Sequence, residues 1–433
     1  MTSGASARAA PASLWRHPDF LKLWTAQTVS QFGDEVTQLA LPFVAIATLD
    51  AGPLEMGLLA TFQFLPFILL TLPAGVWVDR MRRRPILIGA DIGRAILLVS
   101  IPVAFIMGWL TMTQLFVIAF LVGCLEVFFD VAHDAYLPSI VERNQLPEGN
   151  AKFEISNSAA TIAGPGIAGF LVAVVTAPFA IFFDAISYLA ATVFVFLVRR
   201  HEPAPERTPR ADPAVLGRRQ RPGAEMRRDI AEGLRYVLGH RYLRSIAACT
   251  GTFNLFFNMG GAVMLLYIVQ QLGLTPATIG LIFSIGNVGV LLGALSTGRI
   301  ARRVGVGPAI IGSVAIGSPA LLMIPLAPPD LAVPVLVASG VLVGWSTVVY
   351  NVNQRSLRQA ITPDRMLGRM TATMRFIVWG TIPIGALAGG FLGELIGLRT
   401  TLIVAGLGVL VAFLPVLFSP VRGLRQMPEA VTE

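Results

Sequence analysis

Apolar residues in this chain come in runs of about twenty, separated by short polar connections and one long polar segment. A bilayer core of about 30 Å is crossed by roughly 20 residues of α-helix. On that rule the runs predict spans over 21–49, 54–78, 86–108, 112–135, 151–175 and 179–198. Six more follow over 243–270, 277–297, 308–326, 332–350, 371–396 and 400–418. The long polar segment divides them into two sets of six. The predicted organisation is an N-terminal six-helix bundle (1–198), a cytoplasmic linker with an amphipathic helix (199–242) and a C-terminal six-helix bundle (243–433).

The first span breaks the apolar pattern. At 100° per residue, Gln27, Thr28, Gln31, Asp34, Glu35 and Gln38 fall in one sector about 120° wide. A carboxylate facing lipid at that depth costs about 2.5 kcal/mol or more. The stripe is therefore expected to line a cavity between the bundles. Asp34 and Glu35 can there take a proton from one side of the membrane and release it on the other. Gln31 and Gln38 can contact a substrate, as can Asn254 and Asn258 of the seventh span and Asp184 of the sixth.

The fourth span carries "EVFFDVAHDAY", which puts Glu126, Asp130, His133 and Asp134 on one helix face. Glu126 lies deepest and is a third candidate for proton coupling. One His among carboxylates on a single helix is a poor metal site, and no metal is expected. Asp130 and Asp134 are placed to pair with Arg83 or Arg84 across helices. Asp91 and Arg94, three residues apart in the third span, are expected to pair and neutralise each other. Gly164, Pro165 and Gly169 suit a hinge or a close helix contact.

Charge sets the orientation. Arg8, Arg16, Arg80, Arg82, Arg83, Arg84, Arg143, Arg299, Arg302, Arg303, Arg355, Arg358, Arg422 and Arg425 all fall on one side, together with the basic linker. The opposite connections hold Arg399 as their one exception. The positive-inside rule then places both termini in the cytoplasm of a multi-pass inner-membrane protein. The linker opens with a Pro- and Arg-rich stretch. It continues with "AEMRRDIAEGLRYVLGHRYLR", whose Ile230, Leu234, Val237 and Leu238 share a face suited to the membrane surface.

Composition agrees. The chain is 55% hydrophobic and 13% charged, against about 25% charged residues in soluble domains. The net charge of +8 reflects topology, since no aromatic-interleaved basic patch is present to bind nucleic acid. Cys124 and Cys249 both lie in apolar runs and suggest neither a disulfide framework nor a metal site. No secretory signal is expected before the first span.

Two segments repeat. "GVWVDRMRRRPILIG" and "GRIARRVGVGPAIIG" align without gaps, matching Gly75 with Gly298, Arg80 with Arg303, Pro85 with Pro308 and Gly89 with Gly312. A six-plus-six repeat belongs to transporters whose site lies between two bundles.

"GVWVDRMRRRP" resembles the signature between the second and third spans of the major facilitator superfamily, with Arg82 where a Gly is usual. "ATIAGPGIAG" resembles the fifth-span signature of its proton-driven antiporters. "SLRQAITPDRMLGRMTA" resembles the matching loop of the subgroup with macrolide efflux proteins and the enterobactin exporter. The resemblance implies the major facilitator fold and a secondary exporter of amphipathic drugs, antibiotics or siderophores in exchange for protons. It also implies a gate at Asp79, Arg80, Arg83, Arg84 and Asp134, with Asp79 facing the start of the eleventh span. The Arg that many drug antiporters carry in the fourth span is missing. An uncoupled facilitator or importer is the alternative. The expected partners are a small-molecule substrate, protons and the lipid bilayer. The chain is expected to act as a monomer without a cofactor and not as an enzyme: no P-loop, Gly-x-Ser-x-Gly elbow or His-rich motif is present.

Overall fold

The structure is a computed structural model and describes residues 13–78, 80–199 and 222–426. Asp79 and the Pro- and Arg-rich part of the linker lie outside the described residues, as do Arg8 and the terminal segments.

The first six helices are α1 (Pro18–Leu49), α2 (Pro53–Val78), α3 (Arg83–Ile106), α4 (Met112–Ile140), α5 (Leu146–Val175) and α6 (Ala177–Phe196). A helix at the basic end, α7 (Pro222–Gly239), precedes α8 (Arg241–Gln270), α9 (Pro276–Val304) and α10 (Val306–Leu326). The chain ends with α11 (Ala332–Ala360), α12 (Asp364–Ile396), α13 (Leu398–Val411) and the short α14 (Leu414–Leu417). Among the described residues, eleven helices are long and apolar enough to cross a membrane. The twelfth is α1, which at 32 residues has ample length but carries the polar stripe.

Starts and stops follow local chemistry. Pro18, Pro53 and Pro276 open their helices, where a missing N–H costs nothing. Thr111 and Thr275 cap α4 and α9 through their side-chain oxygens. One residue, Gly305 at φ 95°, joins α9 to α10. Arg399, the exception to the charge pattern, donates through Nε to the Pro325 carbonyl at 2.7 Å. It satisfies an orphan acceptor at the end of α10.

The helices form the two six-helix bundles of the major facilitator fold, α1–α6 and α8–α13, which meet mainly through α2 with α12 and α5 with α9. The closest backbone approaches lie in the outer halves of those helices, away from the basic end. Gly57 faces Gly390, and Gly169 faces Gly280. Gly166 N–H donates to Ser284 Oγ at 2.8 Å, and Asn287 Nδ2 donates to the Thr161 carbonyl at 2.6 Å. The apolar packing follows the same division. A single core cluster joins both bundles at the outer end. At the basic end there are two clusters, one in each bundle. The molecule is thus closed on its outer side and parted on its basic side.

Helix α7 does not lie free. Gly233 packs on Arg369 and Thr373 of α12, Val237 is buried beside them, and Glu232 pairs with Arg369 at 3.1 Å. Leu234 and Leu238 are exposed on another side. The apolar face read from the sequence is therefore split. Gly233 permits the close approach that turns Val237 towards α12, leaving the two leucines outside that contact.

Candidate functional site

Where the bundles meet, α1 contributes Glu35 and Gln38 to the wall of a cavity of about 500 Å³. Gln63 and Phe64 of α2, Pro165 of α5, and Phe256, Phe257, Asn258 and Met264 of α8 line it too, with small and aliphatic residues between them. A recess of about 470 Å³ shares Glu35, Gln38, Pro165 and Phe257 with it and reaches Asn287 and Thr347. Glu35 is the one acid in either lining. Its side chain packs over Gly164, where a Cβ would come within 2.5 Å, and hydrogen-bonds Thr161. Gly164 thus makes room for an acid on the cavity wall. Gly169 packs against α9 and, with the Pro165 carbonyl close to Gly280, serves the contact between bundles.

Asp34 lies one residue away but points elsewhere. The 100° turn between neighbours sends Glu35, Gln38 and Pro42 to the cavity, while Asp34 and Thr37 turn towards α6. The sequence expectation of one stripe facing one space needs this correction. The Tyr188 hydroxyl donates to the Asp34 carboxylate. Asp184 is fully buried, taking hydrogen bonds from Thr37 and Ser187, and does not reach the cavity. Thr28, also in the stripe, bonds Ser156 of α5 at 3.0 Å. Among the described residues, the buried side-chain oxygen of Gln31 has no hydrogen-bond partner.

Behind Asp34 is a cluster of charge in the interior of the first bundle. Arg94 is 2% exposed and pairs with Asp91 at 2.5 Å. Its guanidinium lies between the faces of Phe129 and Tyr188, at 4.4 and 4.2 Å from their centroids, and it contacts the Tyr188 hydroxyl at 3.4 Å. Asp34, Glu126 and Asp130 also interact electrostatically with Arg94. A chain of polar contacts therefore runs from Asp91 through Arg94 and Tyr188 to Asp34. Sequence reasoning treated Asp91 and Arg94 as a self-contained pair and missed Tyr188, which in an apolar span gives no local signal.

Among the other candidates, His133 is sandwiched by Phe129 and Phe153, so its ring is part of the packing. Among the described residues, no three His, Cys, Asp or Glu side chains come together to hold a metal ion. Asn254 donates to the Thr250 carbonyl and lines a small cavity of about 60 Å³ with Tyr350 and Ser346. Arg84 bonds the Phe196 carbonyl and covers the Phe196 ring, which ties it to α6 of its own bundle. Arg80 and Asp134 are exposed at the basic end, and Arg83 is partly buried at the start of α3.

The sequence profile of the transmembrane secretion effector family matches residues 9–431. The multidrug efflux pump Tap of Mycolicibacterium fortuitum is 26% identical over 417 residues, covering 92% of this chain and 96% of that one. The MFS-type transporter YfiS of Bacillus subtilis is 26% identical over 396 residues, 89% of each chain. In structure, the chain resembles a bacterial homologue of the iron transporter ferroportin in an inward-facing state. The TM-score is 0.74 at 17% identity, with 94% and 98% of the two chains covered. A bacterial homologue of the lysosomal transporter Spinster, inward-facing and occupied, gives a TM-score of 0.70 at 13% identity over 94% and 97%.

Proposed function

The chain belongs to the transmembrane secretion effector family of the major facilitator superfamily, and we propose that it exports amphipathic small molecules in exchange for protons. The observation that carries this reading is Glu35. It is the single acid on a cavity walled by aromatic rings, Met264 and amides, at the place where the bundles meet. Such a lining suits a bulky organic cation. One carboxylate cannot hold a proton and a cation together, so each displaces the other.

In the cycle we propose, the parted basic end faces the cytoplasm. The cation enters there and meets Glu35, Gln38 and Asn258. Closing of the basic end then opens the outer side, where protons take the cation's place on Glu35. Asp34, linked to Arg94 through Tyr188, and Glu126 hold further protons during exchange. The units 1–198 and 243–433 move about this cavity, with 199–242 as their connection. Arg80, Arg83, Arg84 and Asp134 meet the second unit at the basic end when that end closes. The efflux activity named for Tap supports the outward direction and the drug-like substrate class.

The test is uptake of ethidium into inside-out vesicles under an imposed pH gradient without ATP. Wild type is expected to accumulate it, and Glu35→Gln to lose gradient-driven uptake. Equal gradient-driven uptake by Glu35→Gln would refute Glu35 as the proton carrier, and wild-type uptake indifferent to the gradient would leave an uncoupled facilitator as the better reading.

A further inference from the structure

Arg375 is a cation that this cycle does not use. It sits on α12 about 9 Å deeper along the helix than Arg369, and its side chain is exposed. Among the described residues it forms no hydrogen bond or ion pair. Its guanidinium lies 5.1 Å from the centroid of the Trp379 ring, and Trp379 meets Phe67 of α2 edge-on at 5.5 Å. These groups, with Thr71, Thr371 and Phe376, line a cavity of about 450 Å³ between α2 and α12. It lies on the parted side of the molecule and shares no residue with the Glu35 cavity. Asp130, exposed on α4, interacts with Arg375 electrostatically. That places the guanidinium towards the space between the bundles.

An arginine at membrane depth is costly unless an anion answers it. A planar guanidinium beside aromatic faces matches a carboxylate or sulfonate attached to a ring. We infer that the α2–α12 cavity binds amphipathic organic anions, with the acid group on Arg375 and the ring system against Trp379, Phe67 and Phe376. Asp130 competes with the ligand for the same guanidinium and so sets its affinity. The chain then has two sites of opposite charge preference, one at Glu35 and one at Arg375.

Binding of anilinonaphthalene sulfonate to the full chain in phosphatidylcholine nanodiscs, corrected for empty discs, tests this at equilibrium without a pH gradient. It therefore stands or falls separately from proton exchange. Arg375→Gln is expected to weaken binding at least tenfold, Arg375→Lys to retain most of it, and Asp130→Asn to tighten it severalfold. The gain in Asp130→Asn cannot come from misfolding. Undiminished binding by Arg375→Gln overturns the proposal, as does weakening by Asp130→Asn in step with it. Displacement of the probe from wild type by phosphatidylglycerol in the discs, absent in Arg375→Gln, makes the occupant a lipid and overturns it too.

Discussion

Replacing Arg94 by Gln removes the one cation that, among the described residues, pairs with Asp91, whose carboxylate is fully buried beside it. Loss of one partner from a buried pair costs about 3–5 kcal/mol, because the other charge is left uncompensated. The contacts with the Phe129 and Tyr188 rings go as well. A bundle of 150–250 residues loses about 2–4 °C of midpoint per kcal/mol, so Arg94→Gln should lower its unfolding midpoint by roughly 10 °C. The converse change, Asp91→Asn, leaves Arg94 with Asp34, Glu126 and Asp130 as electrostatic neighbours. Its cost should be that of a charged hydrogen bond, about 1.5–3 kcal/mol. The double variant places two neutral amides three residues apart and strands no charge. It should therefore be more stable than Arg94→Gln alone, by about 2 kcal/mol or more. Thermal unfolding of the four proteins in one detergent, followed by circular dichroism, supplies the cycle. A double variant no more stable than Arg94→Gln would show that Arg94 fills space and that its charge is incidental. The polar chain to Asp34 would then have no energetic basis.

Three further outcomes follow from the packing. A Cβ at Gly280 would sit 2.3 Å from the Pro165 carbonyl oxygen, and overpacking of this kind costs about 1–3 kcal/mol. Gly280→Ala should therefore favour the form open on the outer side, lengthening spin-label distances between Trp109 and Asp330; an unchanged distribution would refute it. Glu232 and Arg369 are each about two-fifths exposed, so Glu232→Gln should change stability by less than about 1 kcal/mol in the same unfolding assay. Gly233→Leu, by contrast, meets the Arg369 carbonyl and Thr373. It should speed hydrogen exchange in α7 several-fold and leave α1–α6 unaffected.

Twelve spans could be read from the chain because each leaves a long apolar run, and the bilayer imposes one length on all of them. The runs underestimate the helices at the basic end. There α4 continues to Ile140, α11 continues to Ala360, and α5 and α12 begin at Leu146 and Asp364. Polar residues can extend a helix into water without any hydropathy signal. The acid pair in α1 was equally legible as something lipid would not tolerate. What could not be read was which of the two acids faces the cavity. That depends on how α1 is rotated against α5 and α6, and on a partner 154 residues away in Tyr188. Arg375 had a local signal, a lone cation inside an apolar run, but its meaning required α2 and Asp130 to be placed around it.

The two bundles share an architecture but not a chemistry. In the first, Arg94 and the acids Asp34, Asp91, Glu126 and Asp184 are gathered in one interior network, with Asp130 at its exposed edge. In the interior of the second, the buried hydrogen bonds join neutral groups: Thr250 bonded to Tyr350, Asn353 to Thr297, and Ser346 to the Ser313 carbonyl, with Arg375 on the exposed side of α12. Neutral hydrogen bonds can be exchanged or slid past at little electrostatic cost, whereas buried charges respond steeply to each proton gained or lost. On the reading proposed here, protonation therefore acts within α1–α6 and is felt by α8–α13 only through the contacts of α2 and α5. Glu35 on the cavity wall and Gly164–Gly169 on α5 adjoin those contacts. An acid there can influence both cargo and closure, which an acid deeper in the first bundle could do only through intermediaries.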